Sequence, residues 1–288
     1  MRISGPKLQA TANANVIHGF TRADMLALVM AVGGLFFLEW ASLGNTRFHG
    51  NSATCINNHQ RLVRAWQLFA EDHDGELVGN FDGGNVQSTA NRDKTWVLGW
   101  YNFNRGNQAT TNTLYLTQDS PLAPYTGRVA EIFKCPSDLS LSGGTRGLPR
   151  VRSYSMNGCM GRKGMNVIWT PGFKVYDRMI DITDPSPGGL FVFIDEREDS
   201  LNDACLLFDM NGFDPREPSV FRIVDYPGSY HNRGATLSFA DGHVESKRWL
   251  DPRTSPVLRP GQLLALNVSS PNNVDVLWIQ ERMSRRIR

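Results

Sequence analysis

The chain of 288 residues has only four cysteines, Cys55, Cys135, Cys159 and Cys205, and no two of them form a C-x-x-C pair. That excludes zinc-ribbon and thioredoxin-type motifs. No H-E-x-x-H or H-x-x-x-H pattern, P-loop, dinucleotide fingerprint or G-x-S-x-G elbow occurs, so no common catalytic signature is present. No basic run with interleaved aromatics occurs either, and nucleic acid is not an expected partner. The basic tail "RMSRRIR" reads as a solvated end. Residues 1–19, "MRISGPKLQATANANVIHG", lack the apolar core of an ordinary secretory signal peptide. Internal repeats, low-complexity tracts and a second apolar segment are also missing. The hydrophobic share of 41% against 20% charged residues nevertheless describes a folded chain with a sizeable core.

The apolar stretch begins only after Gly19, in "FTRADMLALVMAVGGLFFLEWASLG", and Met25 to Leu38 carry no charge. A small residue ahead of an apolar segment reverses the usual signal-peptide order. It suggests cleavage before the segment, which then stays on the mature chain as a short membrane-anchoring helix, marginal against the ~20 apolar residues a span needs. From Cys55 the pattern is helical: Ile56, Leu62, Val63, Trp66, Leu68 and Phe69 recur at helical spacings, and Gly75 is the natural stop. "EDHDGE" has alternating carboxylates that suit calcium, but the twelve-residue spacing of an EF-hand is missing, so it is read as a turn. The stretch 95–103, "TWVLGWYNF", is aromatic and β-prone, "VRSYSMNG" is a strand ending in an Asn-Gly turn, and "LFVFIDE" is a central strand with Asp195 and Glu196 at its exit. One long helix followed by short strands predicts an α+β fold, with that helix packed on a mainly antiparallel sheet joined by long loops.

"SYHNRGATLSFADGHVESKRW", residues 229–249, raises the question of a histidine–aspartate site. Two runs of alternating character flank Asp241-Gly242, which predicts a hairpin with a two-residue turn. That register sets Phe239 opposite Val244 and Leu237 opposite Ser246 on a half-buried face, with Ala240, Ser238 and Thr236 on a mostly polar one. At roughly 3.3 Å per residue, His231 and Asp241 lie some 20–30 Å apart, too far to share an ion. His231 is therefore expected to hold the loop entry by a hydrogen bond to another segment, with Asp195 or Glu196 as partner. Asp241 and His243 are close enough to cooperate at the tip, where calcium stays open as a ligand. No other metal or cofactor is expected.

These residues together resemble a family. "GFTRADMLALV" is similar to the cleavage and methylation motif of type IV prepilins. "CINNHQRLVRAWQLFAEDHDGEL", "FKCPSD", "RSYSMNG", "FVFIDE" and "NNVDVLWIQERM" resemble successive blocks of a large bacterial group of pilin-like proteins named for a C-terminal histidine, nine residues, then Asp-Gly, here His231, Asp241 and Gly242. The blocks reach from Gly19 to about Met283. The resemblance implies a leader over 1–19, an anchor helix over 20–44 and a periplasmic or extracellular globular part over 45–288. Prepilin peptidase would cut between Gly19 and Phe20 and methylate Phe20. Asp24 stands where the family usually has a glutamate that meets the α-amino group of a neighbouring subunit; Arg22 departs from its usual apolar residue and His59 from its usual leucine. An oxidising periplasm would allow disulfides, and Cys55 with Cys135, the cysteines inside family blocks, are the expected pair.

The implied function is a non-enzymatic, pilin-like structural subunit in the bacterial inner membrane. It would assemble with other pilin-like subunits through the N-terminal helix into a type II secretion pseudopilus or type IV pilus-like fibre. A second reading is a membrane-anchored surface or periplasmic binding protein that does not polymerise, with Trp96, Trp100, Tyr101 and Phe103 stacking on sugar rings.

Overall fold

A computed structural model describes residues 21–162, 169–211 and 213–287, with side chains described outside 33–49. Gly19 and Phe20 lie outside the described residues. The chain divides into two compact units, 1–47 and 48–288.

Helix α1 (Arg22–Asp72) begins in the first unit. Its start is a capping box: the Thr21 hydroxyl accepts from the Asp24 N–H at 3.3 Å, and the Asp24 carboxylate accepts from the Thr21 N–H at 2.8 Å and hydroxyl at 2.7 Å. Residues 21–32 are exposed on every side, Met25, Leu26, Val29 and Met30 among them. Among the described residues, no helix is long and apolar enough to cross a membrane.

The second unit is α+β. A five-stranded sheet has the order β3-β1-β2-β5-β6, with β1 Tyr154–Asn157, β2 Phe191–Asp195, β3 Cys205–Leu206, β5 Gly234–Phe239 and β6 Val244–Arg248. All pairs are antiparallel except β1 with β3. β4 (Arg222–Ile223) and β7 (Val268–Ser269) form a separate two-stranded ribbon. Among the described residues, two short α-helices follow, α2 (Leu114–Thr117) and α3 (Val274–Met283).

Both faces of the sheet are covered. On one side, Cys55, Leu62, Val63, Trp66 and Ala70 form the inward stripe of α1 and pack with Trp96, Tyr154, Met156, Val192 and Phe193. The turn that follows is closed by the Gly75 N–H on the Ala70 carbonyl at 2.8 Å, with Gly75 at φ +80°. On the other side, Phe191, Ile194, Ala235, Leu237 and Phe239 meet Trp249 and the buried face of α3, Val276, Ile279 and Met283. Asn273 starts α3 by accepting from the N–H groups of Asp275 and Val276. A register shift in β2 between Phe191 and Phe193 lets the consecutive Val192 and Phe193 both join the α1-side cluster.

Two expectations are corrected. The stretch 95–103 forms no strand; it is irregular backbone whose Trp96, Val97, Leu98 and Tyr101 are buried. The hairpin turn spans three residues, not two. The Phe239 N–H donates to the His243 carbonyl (3.0 Å) and the Gly242 N–H to the Phe239 carbonyl (2.9 Å), with Gly242 at φ +96°. This is a turn closed by a glycine bulge, and it shifts the register by one: Ser238 pairs with Val244, Leu237 with Glu245 and Thr236 with Ser246. The face of β5 expected to be mostly polar is buried under α1, where the Ser238 hydroxyl lies 3.5 Å from the His59 ring.

Candidate functional site

Five segments, α1 among them, deliver polar side chains to one point. On α1, Ser52, Cys55 and His59 are spaced by three and four residues and share a face. Cys135 follows the 3₁₀ turn Ala130–Phe133, and its N–H is held by the Ser153 hydroxyl at 2.8 Å. Tyr154 opens β1 and Asp195 closes β2. His231 lies just before β5, in a loop whose Asn232 and Arg233 both take positive φ (+52° and +60°).

Asp195 is the hub. Its Oδ2 accepts the Thr236 N–H at 2.9 Å and lies 3.6 Å from His231 Nε2. Its Oδ1 accepts from the Cys55 thiol at 3.4 Å and lies 3.5 Å from His59 Nε2. That His59 contact is an ion pair without hydrogen-bond alignment, so Nε2 has no hydrogen-bond partner although the side chain is fully buried. His231 Nε2 is also 3.2 Å from Cys135 Sγ, while Nδ1 is 3.1 Å from the Ser52 hydroxyl. The Tyr154 hydroxyl is 3.3 Å from Cys55 Sγ, and its ring lies 4.2 Å from that of His59.

The centre is closed. Cys55, His59, Cys135, Tyr154 and Asp195 are wholly buried and His231 is 8% exposed. Burial raises the Cys55 thiol pKa above its ordinary value, helped by Cys135 and the Asp195 charge. Burial opposes a charge on His59, but Asp195 and Cys55 outweigh it and raise its pKa to about 9. For His231, likewise, burial lowers the pKa while Cys55 and Asp195 raise it, and the net shift is upward.

His231 lies beside Asp195, but at 3.6 Å rather than in the expected hydrogen bond; its hydrogen bonds run to Ser52 and Cys135. Cys55 and Cys135 are brought together as expected, their sulfurs within 4.8 Å, but as two free thiols rather than a disulfide. Each sulfur has its own polar contact, Cys55 with Asp195 and Tyr154, Cys135 with His231. A Cys135–His231–Asp195 nucleophilic triad does not fit, because thiol and carboxylate share one ring nitrogen, Nε2. His59, Ser52 and Tyr154 were not singled out from sequence as site residues; the four-residue spacing of Cys55 and His59 was the available signal.

Asp241 and His243 are at the far end of β5. His243 Nδ1 is 2.6 Å from Asp241 Oδ1, the imidazole stacks on Phe239 at 4.2 Å, and both side chains are 44% exposed. Gln67 of α1 donates to the Ala240 carbonyl at 3.1 Å, so the tip rests on the helix. "EDHDGE" forms the turn that ends α1. No protein-family model, curated protein or solved structure matches this chain.

A second buried polar layer lies beyond Asp195. Glu196 accepts from the Ser155 and Ser200 hydroxyls at 2.5 and 2.7 Å, and burial lifts its pKa to about 8. Burial likewise lifts Asp203 to about 6. Arg152 donates to the Tyr154 and Asp203 carbonyls, at 2.6 Å each, and lies over the Tyr101 ring. These groups tie β1, the end of β2 and the following loop to one another.

Proposed function

We propose that the chain is a pilin-like structural subunit. Prepilin peptidase removes the leader at Gly19, residues 20–44 hold the protein in a bacterial inner membrane, and copies assemble through α1 into a pseudopilus or pilus-like fibre, with the globular part outside the cytoplasm. The observation that carries this reading is the contrast along α1. Leu62, Val63 and Trp66 are buried against the sheet, whereas Met25, Leu26, Leu28, Val29 and Met30 are 54–73% exposed. An apolar helix exposed on every side needs a cover, which a bilayer or sister helices supply. Mass analysis of the N-terminus of protein taken from its native membrane tests it. The expected species begins at N-methylated Phe20; a chain that still begins at Met1 would sink the proposal.

A cleft of about 340 Å³ favours the non-polymerising, glycan-binding alternative. It is lined by Trp100, Tyr115, Gln87, Asn102 and Gln108, aromatic and amide groups suited to sugars. Of the four aromatics expected to stack on sugars, only Trp100 reaches this cleft; Trp96 and Tyr101 are buried core, and Trp96 donates its indole N–H to Asn80 and Ala204. Glycan-array binding by the purified chain that is lost in Trp100→Ala, with no filaments by microscopy, would replace the first reading with this one.

A further inference from the structure

We propose that Cys55, Cys135, Asp195 and His231 form a closed tetrahedral site for a structural zinc ion. The inference rests on the geometry of the buried centre and is independent of whether the chain polymerises. One donor atom from each of the four residues lies within 4.8 Å of all the others. Zinc bonds of about 2.0–2.3 Å imply tetrahedral edges of roughly 3.3–3.8 Å between donors. Cys135 Sγ to His231 Nε2 is 3.2 Å, His231 Nε2 to Asp195 Oδ2 is 3.6 Å, and Cys55 Sγ to Asp195 Oδ2 is 3.7 Å. Two of these edges fall within that range and the third is 0.1 Å short of it, so a small outward shift of Cys135 or His231 would admit the ion.

The donor set argues for zinc over calcium. Two thiolates and an imidazole are soft or borderline ligands, whereas calcium takes oxygens. The surroundings supply outer contacts for each anchoring group. Ser52 meets His231 Nδ1, which leaves Nε2 to face the ion, and the Thr236 N–H holds Asp195 Oδ2. His59 Nε2, fully buried and without a hydrogen-bond partner, faces Asp195 Oδ1. A metal-bound carboxylate fixed in place would give that orphan nitrogen an acceptor.

The site's role follows from its burial and connectivity. All four ligands are buried, so no position opens to a substrate, which marks a structural rather than a catalytic centre. The ligands come from α1, the loop after Phe133, the end of β2 and the entry to β5, so one ion ties the helix to both halves of the sheet. Binding is an exchange of the two thiol protons for the ion: two Cys–SH and Zn²⁺ give the dithiolate complex and two protons, with no change of oxidation state. A Cys55–Cys135 disulfide would consume both sulfur ligands, so the two states exclude each other.

The test uses the full chain purified in detergent under reducing conditions from zinc-supplemented cells. Elemental analysis should give one zinc per chain that survives gel filtration. Exchange with cobalt alone should produce the thiolate-to-cobalt charge-transfer absorption expected of a tetrahedral two-sulfur site. Cys135→Ser and His231→Ala should each abolish stoichiometric zinc, Ser52→Ala should weaken zinc binding ~10-fold, and His243→Ala should leave it unchanged. If the cysteine variant does not fold, the cobalt spectrum of the unmutated protein decides alone. Two titratable thiols or a Cys55–Cys135 disulfide without bound metal, a cobalt spectrum lacking sulfur ligation, or full zinc retention by His231→Ala would each overturn the proposal.

Discussion

His231 and His243 each meet an aspartate, at 3.6 and 2.6 Å, and the longer contact belongs to the stronger centre. The two histidines bracket one strand, β5. His243 and Asp241 are 44% exposed, so water screens their attraction and competes for both groups. The side chains of His231 and Asp195 are 5% and 0% exposed, where every polar group must find a partner within the protein. Contact length therefore says less about a charged pair than the solvent it has lost and the number of other groups that depend on it.

Substitution of the hub should separate the two ends most sharply. Asp195→Ala leaves the Thr236 N–H, His59 and His231 without their carboxylate, and should lower stability by about 3–5 kcal/mol in urea denaturation. A smaller lesion strikes the same group by shape alone. A Cβ at position 228 would sit 2.5 Å from the Asp195 Cβ, so Gly228→Ala should cost about 1–3 kcal/mol by the same assay. If it proved neutral, the rigid placement of Asp195 would be in doubt.

Acid separates buried from exposed carboxylates by sign. Asp203 is buried and its pKa rises from 3.8 to about 6, so the folded state holds its proton more tightly than the unfolded one. Its contribution is full below about pH 4 and is lost as the pH rises through about 6, a change of about 2–3 kcal/mol. Asp241 behaves oppositely: burial raises its pKa, but the backbone N–H and imidazole of His243 outweigh this and lower it below 3.8. Its contribution is present at neutral pH and lost as the pH falls below about 4. With chelator present, Asp203→Asn should flatten the fall in melting temperature between pH 4.5 and 7.5, and Asp241→Asn should leave that fall unchanged.

The tip itself should be tolerant. His243→Ala should change stability by less than about 1 kcal/mol in urea denaturation, because the pair it breaks is exposed. A larger loss would mean that stacking on Phe239 and docking on Gln67 matter more than the salt bridge.

Much of the fold was legible because it is set locally. The helix from Cys55 with Leu62, Val63 and Trp66 on its buried face, the stop at Gly75, the central strand ending in Asp195 and the existence of the hairpin follow from periodicity and turn residues, whereas Ile56, Leu68 and Phe69 of the expected stripe are only half-buried. The register was not, because Asp-Gly suits both a two-residue turn and a three-residue turn with a glycine bulge, and the choice moves every partner by one. The segment 95–103 has strand composition but pairs with no strand, since β-propensity mostly reports burial, which Trp96 and Tyr101 satisfy without a ladder.

The sequence alone marked Cys55, Cys135, Asp195 and His231, but as a cysteine pair and a histidine–carboxylate contact rather than as one centre. Two cysteines and a histidine fell in distinct blocks, and the distance along β5 kept His231 and Asp241 apart. Only the tertiary structure decided that Cys55, Cys135, Asp195 and His231 meet in one dry centre with His59 beside them. Their positions are 140 residues apart between Cys55 and Asp195 alone, and no local pattern encodes such a meeting. It arises because α1 lies across the strands, covers the polar face of β5, and excludes the water that would otherwise have satisfied each group separately.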